Sequence, residues 1–317
     1  MVASRNLPSI DRLRVAVADC LERHVGSGQR LLVGLSGGVD SVVLLHAVRV
    51  AGYPLAAVHV HHGLNRSADE WSAFCETLCR SWHVPLTIER IRVERDSTDG
   101  LEAAARRARH AAFGRIGGDW LLLAHHQGDR AETALFNLLR GAGVRGAGAL
   151  SERSGRILRP LLTLGRSAIL EYADSQGLRW IEDDSNADLK FSRNFLRHRV
   201  LPTMEERFPA ASARLAAAAA HFAEAADLLD ELARLDLGNA GPEFPVDVQL
   251  LAGLSEARAR NVLRFLLSRA GVGIPTEERL AEVLRQCLSA APDRHPAVVF
   301  GDRVMRRRAG RIVLEAA

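Results

Sequence analysis

Lysine is almost absent from this chain of 317 residues: Lys190 is the only one, so arginine supplies the rest of the 42 basic side chains. The formal net charge of +4 permits a polyanionic partner without requiring one. Arginine suits phosphate binding through its planar fork. Codon bias alone also produces chains rich in alanine and arginine, so composition leaves both explanations open.

Cysteine is scarce as well, and no CxxC pair occurs. Cys75 and Cys79 are one helical turn apart, which predicts buried thiols rather than metal ligands. This usage suits a reducing cytosol. No run reaches the length of a membrane span, and charges from Arg5 onward argue against a signal peptide. We therefore expect a cytoplasmic protein without a membrane partner.

Short apolar runs alternate with amphipathic stretches through the first part of the chain. The runs at 30–35, 55–60, 85–91 and 120–124 are predicted strands, and the stretches between them are predicted helices. This alternation predicts an α/β fold with a doubly wound parallel sheet and right-handed crossovers. Ligands of such sheets bind at the carboxyl ends of the strands.

The later part of the chain changes character. We predict a domain boundary at 208/209, giving a catalytic domain over 1–208 and a smaller, mainly helical domain over 209–317 that begins with a long bridging helix. Two short strands, 297–300 and 312–314, are expected at its end. The stretch 141–148 is too glycine-rich for a helix interior and is predicted to be a flexible flap without regular structure.

Residues 36–41 (SGGVDS) lie between the first predicted strand and the helix that follows. This junction is an anion site in which the glycines let backbone amides converge on phosphate oxygens. Asp40 fits a ligand for a phosphate-bound Mg²⁺. Neither a Walker ending nor GxGxxG is present, and a glycine turn with an N-capping serine is the alternative. The complete hexapeptide favours phosphate binding.

Residues 125–133 (HHQGDRAET) are the second informative stretch. Asp129 and Glu132 are three residues apart in the first turn of a predicted helix, so both carboxylates share one face. Each alone is typical of a helix-dipole partner. Together, beside a phosphate site, they would repel unless they hold a cation, either a metal or an amine substrate. His61 and His125 end strands at the same edge, and no HExxH supports a zinc site.

Several arginines are candidate anion ligands. Arg106 and Arg109 share a helix face, and Arg140 follows the acidic helix. Each is either a fork for phosphate or carboxylate or part of a solvated helix side. A C-terminal cluster is either a phosphate track or one charged face of an edge strand. It comprises Arg303, Arg306, Arg307, Arg308 and Arg311.

The hexapeptide resembles the PP-loop of the N-type ATP pyrophosphatases, a Rossmann-like fold. A wider set of motifs is similar to the tRNA(Ile)-lysidine synthetase family across roughly residues 30–205. These are 100–106 with Arg109, 125–133, 140–143, 180–186 and 193–197. The family usually has Asp-Asp-Gln where Gly128, Asp129 and Arg130 stand, and tyrosine at His110. Its larger members carry a further C-terminal domain, which we expect this chain to lack.

The resemblance implies a ligase that uses ATP and Mg²⁺ to join free L-lysine to C2 of the wobble cytidine in a tRNA(Ile) with a CAU anticodon, through an adenylated cytidine, releasing pyrophosphate and AMP. It implies catalytic roles for Asp40, Arg106, Asp129 and Glu132, with Asp40 as metal ligand. The implied ATP site comprises Ser36, Gly37, Gly38, Val39, Asp40, Ser41 and His61. The implied lysine site is Arg106, Asp129 and Glu132, and the implied tRNA contacts are Arg109, Arg140, Arg193, Arg197 and the C-terminal domain.

Three alternatives remain at this point. A tRNA cytidine thiolase, or another PP-loop enzyme that adenylates tRNA, is nearest, although those thiolases use cysteine pairs that this chain lacks. An ATP-binding regulatory module without ligase chemistry would have no use for the paired carboxylates. An inactive relative is the third, because Gly128 and Arg130 depart from the family pattern. The oligomeric state stays open, a homodimer included.

Overall fold

The computed structural model describes residues 9–63, 67–92, 101–182, 189–273, 275–289 and 296–317, without the side chains of 9, 101–103, 105, 106 and 110. The chain divides into two compact units, Met1–Ala223 and Glu224–Ala317. This division falls inside one long helix, Ala211–Leu237, at the place where a bridging helix is predicted. The boundary at 208/209 stays a prediction.

A six-stranded sheet forms the centre of the first unit, in the order β3-β2-β1-β4-β6-β5. Every pairing is parallel except that of β5 with β6. The strands are β1 (Leu31–Gly34), β2 (Leu55–His61), β3 (Leu86–Arg90), β4 (Trp120–Leu122), β5 (Arg153–Ser154) and β6 (Ile157–Leu158). The predicted parallel α/β fold is therefore confirmed, and the short β5–β6 hairpin is an addition to it.

Helices cover both faces of this sheet. In chain order they are α1 (Ser9–His24), α2 (Val39–Val50), α3 (Ala68–Trp82), α4 (Leu101–Arg115), α5 (Gln127–Leu139), α6 (Val144–Ala147) and α7 (Arg166–Ser175). Leu31 and Val33 of β1 join a core with α1, α2 and α7, whereas Leu32 packs with Phe113 of α4 in a separate cluster. Because side chains alternate along a strand, β1 is buried on both faces, which explains its unbroken apolar sequence.

The sheet topology determines where a ligand can bind. From β1 the chain proceeds to β2 and β3 on one side, and β4 lies on the other side of β1. The crevice between the carboxyl ends of β1 and β4 is therefore a topological switch point, the usual binding place in open α/β sheets. The segments 35–38 and 123–126 leave the sheet at this point.

The glycine-rich stretch 141–148 is not wholly irregular, and that prediction is wrong for its centre. Residues Val144–Ala147 form α6. A Cβ at Gly148 would lie 2.5 Å from the backbone nitrogen of Ala223, and Asn137 Nδ2 donates to the Gly146 carbonyl at 2.6 Å. The glycine content reflects close backbone packing as well as turns.

Three consecutive segments continue the first unit. They are α8 (Ser192–Phe195), one π-helical turn (Leu196–Val200) and α9 (Leu201–Arg207). Helix α10 (Ala211–Leu237) follows. No helix among the described residues is both long enough and apolar enough to cross a lipid bilayer.

In the second unit the C-terminal part of α10 packs with three further helices and a small antiparallel sheet. The three helices are α11 (Val248–Ala252), α12 (Glu256–Arg269) and α13 (Glu277–Ser289). Its strands β7 (Val246–Asp247), β8 (Ala297–Phe300), β9 (Arg303–Arg308) and β10 (Arg311–Ala316) have the order β7-β10-β9-β8. Strand β9 has no apolar pattern that would predict it, because four of its six residues are arginine. Val304 and Met305 are nevertheless buried.

Most of the C-terminal arginine cluster has partners within the second unit. Arg308 lies 2.8 Å and Arg306 3.8 Å from carboxylate oxygens of Glu315 on β10. Arg307 donates to the carbonyl of Cys287 at 2.9 Å. These contacts favour the charged-strand interpretation for these three arginines, and a phosphate track stays a prediction.

Candidate active site

The Ser36 loop joins β1 to α2 and is held by its own hydroxyl groups. Ser41 Oγ donates to the Gly38 carbonyl at 2.9 Å and accepts from the Ser36 amide at 3.1 Å. Gly38 is the N-cap of α2, and within the described part of the chain no side chain caps this helix. The first amides of α2 are therefore available to an anion, where the helix dipole also favours negative charge.

Gly37 is required by both conformation and space. Its φ of +92° lies in the region that favours glycine. A Cβ at Gly37 would lie 3.0 Å from Ile181 Cδ1, and the Ile181 amide donates to the Gly37 carbonyl at 2.9 Å. Ile181 thus contacts the Ser36 loop through both its backbone amide and its side chain.

Asp40 lies in the first turn of α2 with one oxygen unpaired. Its Oδ1 is buried and has no hydrogen-bond partner among the described residues, and Oδ2 lies 3.8 Å from Arg166 Nη1. Burial raises the pKa of Asp40, against the opposing influence of His126 and Arg166. A buried carboxylate oxygen without a partner is unfavourable unless a ligand completes it.

The donor set at Asp40 fits Mg²⁺. The described part of the chain contains no group of three or more metal-ligating side chains. Mg²⁺ commonly takes only one or two protein carboxylates and fills its other positions with phosphate oxygens and water. Asp40 would hold such an ion beside a phosphate bound at the amides of α2.

The N-terminus of α5 is capped by His126. The His126 amide donates to Asp129 Oδ2 at 2.9 Å, and the Gly128 amide donates to His126 Nδ1 at 2.9 Å. A Cβ at Gly128 would lie 2.7 Å from His126 Cε1, so glycine makes room for the ring. Arg130, the other departure from the family pattern, does not line the two cavities described below.

Asp129 and Glu132 share one face of α5, as predicted, and two arginines cover them. Arg197 donates from Nε to Glu132 Oε2 and from Nη2 to Asp129 Oδ1, each at 2.8 Å. Arg193 Nη1 donates to Glu132 Oε1 at 2.8 Å. Glu132 is only 3% exposed, and these two guanidinium groups supply the ion pairs that a buried carboxylate requires.

This cluster sets the ionisation of its members. Burial opposes ionisation of Asp129, but the electrostatic influence of His126 and Arg197 and the hydrogen bond from the His126 amide lower its pKa. Burial of Arg197 works in the opposite direction to Glu132 and Asp129, which raise its pKa. Both carboxylate and guanidinium therefore stay charged at neutral pH.

Two cavities meet at this edge of the sheet. A cleft of about 720 Å³ contains the Ser36 loop, Asp40, Arg166 and Trp180. A second pocket of about 200 Å³ contains Glu132, Thr133, Leu150, Arg193 and Asn194. Both cavities are lined by Arg109, His125, Asp129 and Arg197. The arrangement suits a nucleotide in the cleft and a smaller polar ligand next to its phosphates.

The remaining predicted site residues are distributed unevenly. His61 lines the cleft, and its Nε2 lies 3.1 Å from Asp69 Oδ1. Arg140 lies at the far end of α5, 5.2 Å above the Phe136 ring, and lines neither cavity. Arg106 belongs to α4, but its side chain is outside the described residues, as is the motif portion 183–186.

Sequence reasoning missed Arg166, His126 and Arg159 as site residues. Arg166 is the first residue of α7, and Gly165 is the N-cap of this helix. A helix-start pattern in the sequence could have indicated this position. The side chain of His126 caps α5. The one sequence feature that goes with this cap is the glycine at 128, where a Cβ would collide with the His126 ring. Arg159 directly follows strand β6 and contacts His125, and no local signal predicts that contact.

Comparison with known proteins agrees with this geometry. Residues 12–204 match the PP-loop domain family, and residues 247–313 match the TilS substrate binding domain family. A solved structure of the U34-tRNA thiolase NcsA from Methanococcus maripaludis has a TM-score of 0.58 at 17% identity, covering 68% of this chain and 80% of that chain. At that identity the likeness concerns the fold alone.

Curated relatives match across both units. A tRNA(Ile)-lysidine synthase from Nitrosomonas europaea is 44% identical across 88% of this chain and 64% of its own length. One from Ralstonia nicotianae is 41% identical across 97% of this chain and 70% of its own length. The chain thus spans less than two thirds of the Nitrosomonas protein. These matches confirm the resemblance drawn from the motifs: the chain belongs to the tRNA(Ile)-lysidine synthase family of PP-loop proteins.

Proposed function

We propose that this protein ligates L-lysine to C2 of the wobble cytidine of a tRNA(Ile) with a CAU anticodon, using ATP and working in the cytosol. The observation that carries the proposal is the pair of adjoining cavities. One holds an uncapped helix N-terminus and the unpaired Asp40 oxygen, and the other holds the carboxylates Asp129 and Glu132. Family membership agrees with this arrangement.

The first step would take place in the larger cleft. Amides of the Ser36 loop bind the phosphates of ATP, and His61 lies along the same wall. The cytidine O2 attacks the α-phosphorus, the bond to the β-phosphate oxygen breaks, and pyrophosphate leaves. Mg²⁺, when held by Asp40, would neutralise charge that builds on the departing phosphates. Arg166 stands beside Asp40 and faces the same charge.

The second step would use the smaller pocket. The amine of lysine attacks C2, the C2–O bond breaks, and AMP leaves with that oxygen. Asp129 and Glu132 keep the amine close because each carboxylate oxygen retains a lone pair beyond its arginine contact. One of them accepts the proton that the amine releases. Arg109, Arg193 and Arg106 are the proposed partners for the lysine carboxylate or the α-phosphate.

The RNA would approach over α8 and the π-helical turn. Arg193 and Arg197 face the carboxylates, so their proposed tRNA contact is limited to the reacting nucleotide that enters the pocket. Phe195 lies between them in sequence and is 48% exposed, and Arg199, four residues further along, is also exposed. An exposed aromatic ring next to a cation is typical of surfaces that bind single-stranded RNA by stacking. Arg140 and the second unit are proposed to contact the tRNA elsewhere.

The direct test is incubation with ATP, Mg²⁺, radiolabelled L-lysine and an unmodified tRNA(Ile) transcript carrying CAU. We expect label in the RNA, one AMP for each lysine incorporated, and no label in a transcript with uridine at the wobble position. The Asp40→Asn variant provides the matched negative control. ATP binding without any transfer of lysine would contradict the proposal and would favour a regulatory module.

A further inference from the structure

Buried Arg159 and half-buried His125 form a pair that the two proposed steps do not use. Arg159 follows β6 and is 5% exposed, and His125 follows the neighbouring strand β4. Arg159 Nε donates to His125 Nδ1 at 3.2 Å, and its Nη1 donates to the Ser151 carbonyl at 2.8 Å. The guanidinium is therefore held from two sides against one particular ring nitrogen.

This contact determines which nitrogen of His125 carries the proton. A guanidinium has only N–H donors and does not lose its charge in proteins. Nδ1 must then present its lone pair, which leaves the ring proton on Nε2. Protonation of Nδ1 would place two N–H groups and two positive charges against each other in a partly buried site. The geometry thus favours a neutral ring with Nε2 as donor.

His125 lies where such a donor would be useful. It is one of the side chains that line both the nucleotide cleft and the smaller pocket. The charged groups that share this position are Asp129 from α5, Arg109 from α4 and Arg197 from the π-helical turn. An oxygen of the reacting phosphate would lie at this boundary when AMP leaves.

We propose that Arg159 is a positioning residue that holds His125 as a neutral Nε2–H donor to a phosphate oxygen. The identity of that acceptor rests on the proposed function. It follows that His125 is not the base that deprotonates the lysine amine, because its one lone pair faces Arg159. That proton goes to Asp129 or Glu132 instead.

The tautomer can be tested on the purified protein without substrates. In protein labelled with ¹⁵N-histidine, the His125 signals are assigned by their loss in His125→Gln. We expect a pyrrole-like Nε2 and a pyridine-like Nδ1 between about pH 8 and 6. Arg159→Gln should let the ring exchange tautomers and gain a second proton over that range. An imidazolium or an Nδ1–H ring in the wild type would overturn the proposal.

Arg156→Gln is the matched control. Arg156 lies in the turn between β5 and β6 and donates to backbone carbonyls, at 3.3 Å to Ile116 and 3.2 Å to Gly118. Its loss should leave the His125 signals unchanged. If Arg159→Gln does not fold, Arg159→Lys and the wild-type assignment still decide the question.

Kinetics supply the second readout. Arg159→Gln should lower kcat for AMP formation by about 10-fold or more, the usual effect of losing a supporting hydrogen bond, with less change in the KM for ATP. In a His125→Gln background the same substitution should change kcat by less than about twofold. Equal effects in both backgrounds would contradict a role through His125. Absence of any AMP from the wild type would overturn the proposed function while leaving the tautomer result intact.

Discussion

The N-termini of α2 and α5 border the same cleft, but their carboxylates differ in ion pairing and in the direction of their pKa shifts. Asp40 on α2 has a buried oxygen without a partner among the described residues and a raised pKa. Asp129 and Glu132 on α5 are covered by Arg193 and Arg197. The difference is one of charge compensation: the buried Asp40 oxygen has no partner among the described residues, whereas Asp129 and Glu132 are already paired with arginines.

The largest effect is expected for Asp40→Asn on α2, which should lower activity while raising thermal stability. Asp40→Asn should lower AMP formation by about 10³-fold, because the group facing the phosphates is lost. The same substitution should raise Tm by roughly 2 °C without nucleotide. A raised carboxyl pKa means that ionisation destabilises the fold above that pKa, and asparagine removes this penalty.

Asp174→Asn, an exposed carboxylate on α7, is the control for this experiment and should change neither quantity. Calorimetry and product analysis on the same preparations give both readouts. A marked fall in Tm for Asp40→Asn would show that Asp40 stabilises the fold like the α5 cluster, and the contrast between the helices would then disappear.

At α5, removal of a carboxylate should lower stability instead of raising it. Glu132→Gln leaves two guanidinium groups beside a neutral amide in a buried site, which should reduce the free energy of unfolding by roughly 3 kcal/mol. Lysine transfer should fall more than adenylation. Urea unfolding and trapping of adenylated tRNA measure the two quantities, with Glu171→Gln on the exposed side of α7 as control. Equal loss of both steps would argue against a lysine site at Glu132.

A third experiment examines the pH dependence of the α5 cluster. The pKa of Asp129 is lowered in the folded protein, so its contribution is fully present above the unfolded value of about 3.9 and is lost as pH falls. The stability difference between the wild type and Asp129→Asn should therefore shrink as pH falls from about 5 to 3. Denaturant titrations at each pH measure it, and a constant difference would contradict the assigned shift.

The smallest effect is expected for an arginine–carboxylate pair at the surface. Glu315 contacts Arg308 and Arg306 on β9, with side chains 36% to 61% exposed. Glu315→Gln should change the free energy of unfolding by less than about 0.5 kcal/mol, because solvent screens exposed pairs. A loss comparable with that of Glu132→Gln would show that burial is not what distinguishes the α5 cluster.

Local sequence patterns predicted much of this site, but they did not predict the contacts between residues far apart in sequence. The Ser36 loop and the shared face of Asp129 and Glu132 depend on neighbouring residues, so the sequence was sufficient for them. The contact of Glu132 with Arg193 joins residues 61 positions apart, and that of Arg159 with His125 joins residues 34 positions apart. Such contacts arise from tertiary packing and have no periodic signal.

The position at which ATP is cleaved is the most direct test of the proposed ligase reaction. Purified protein incubated with α-labelled ATP, Mg²⁺, L-lysine and the CAU transcript should form labelled AMP and one pyrophosphate for each lysidine, without ADP. Formation of ADP and inorganic phosphate, with the RNA present and lysine in excess, would contradict the account.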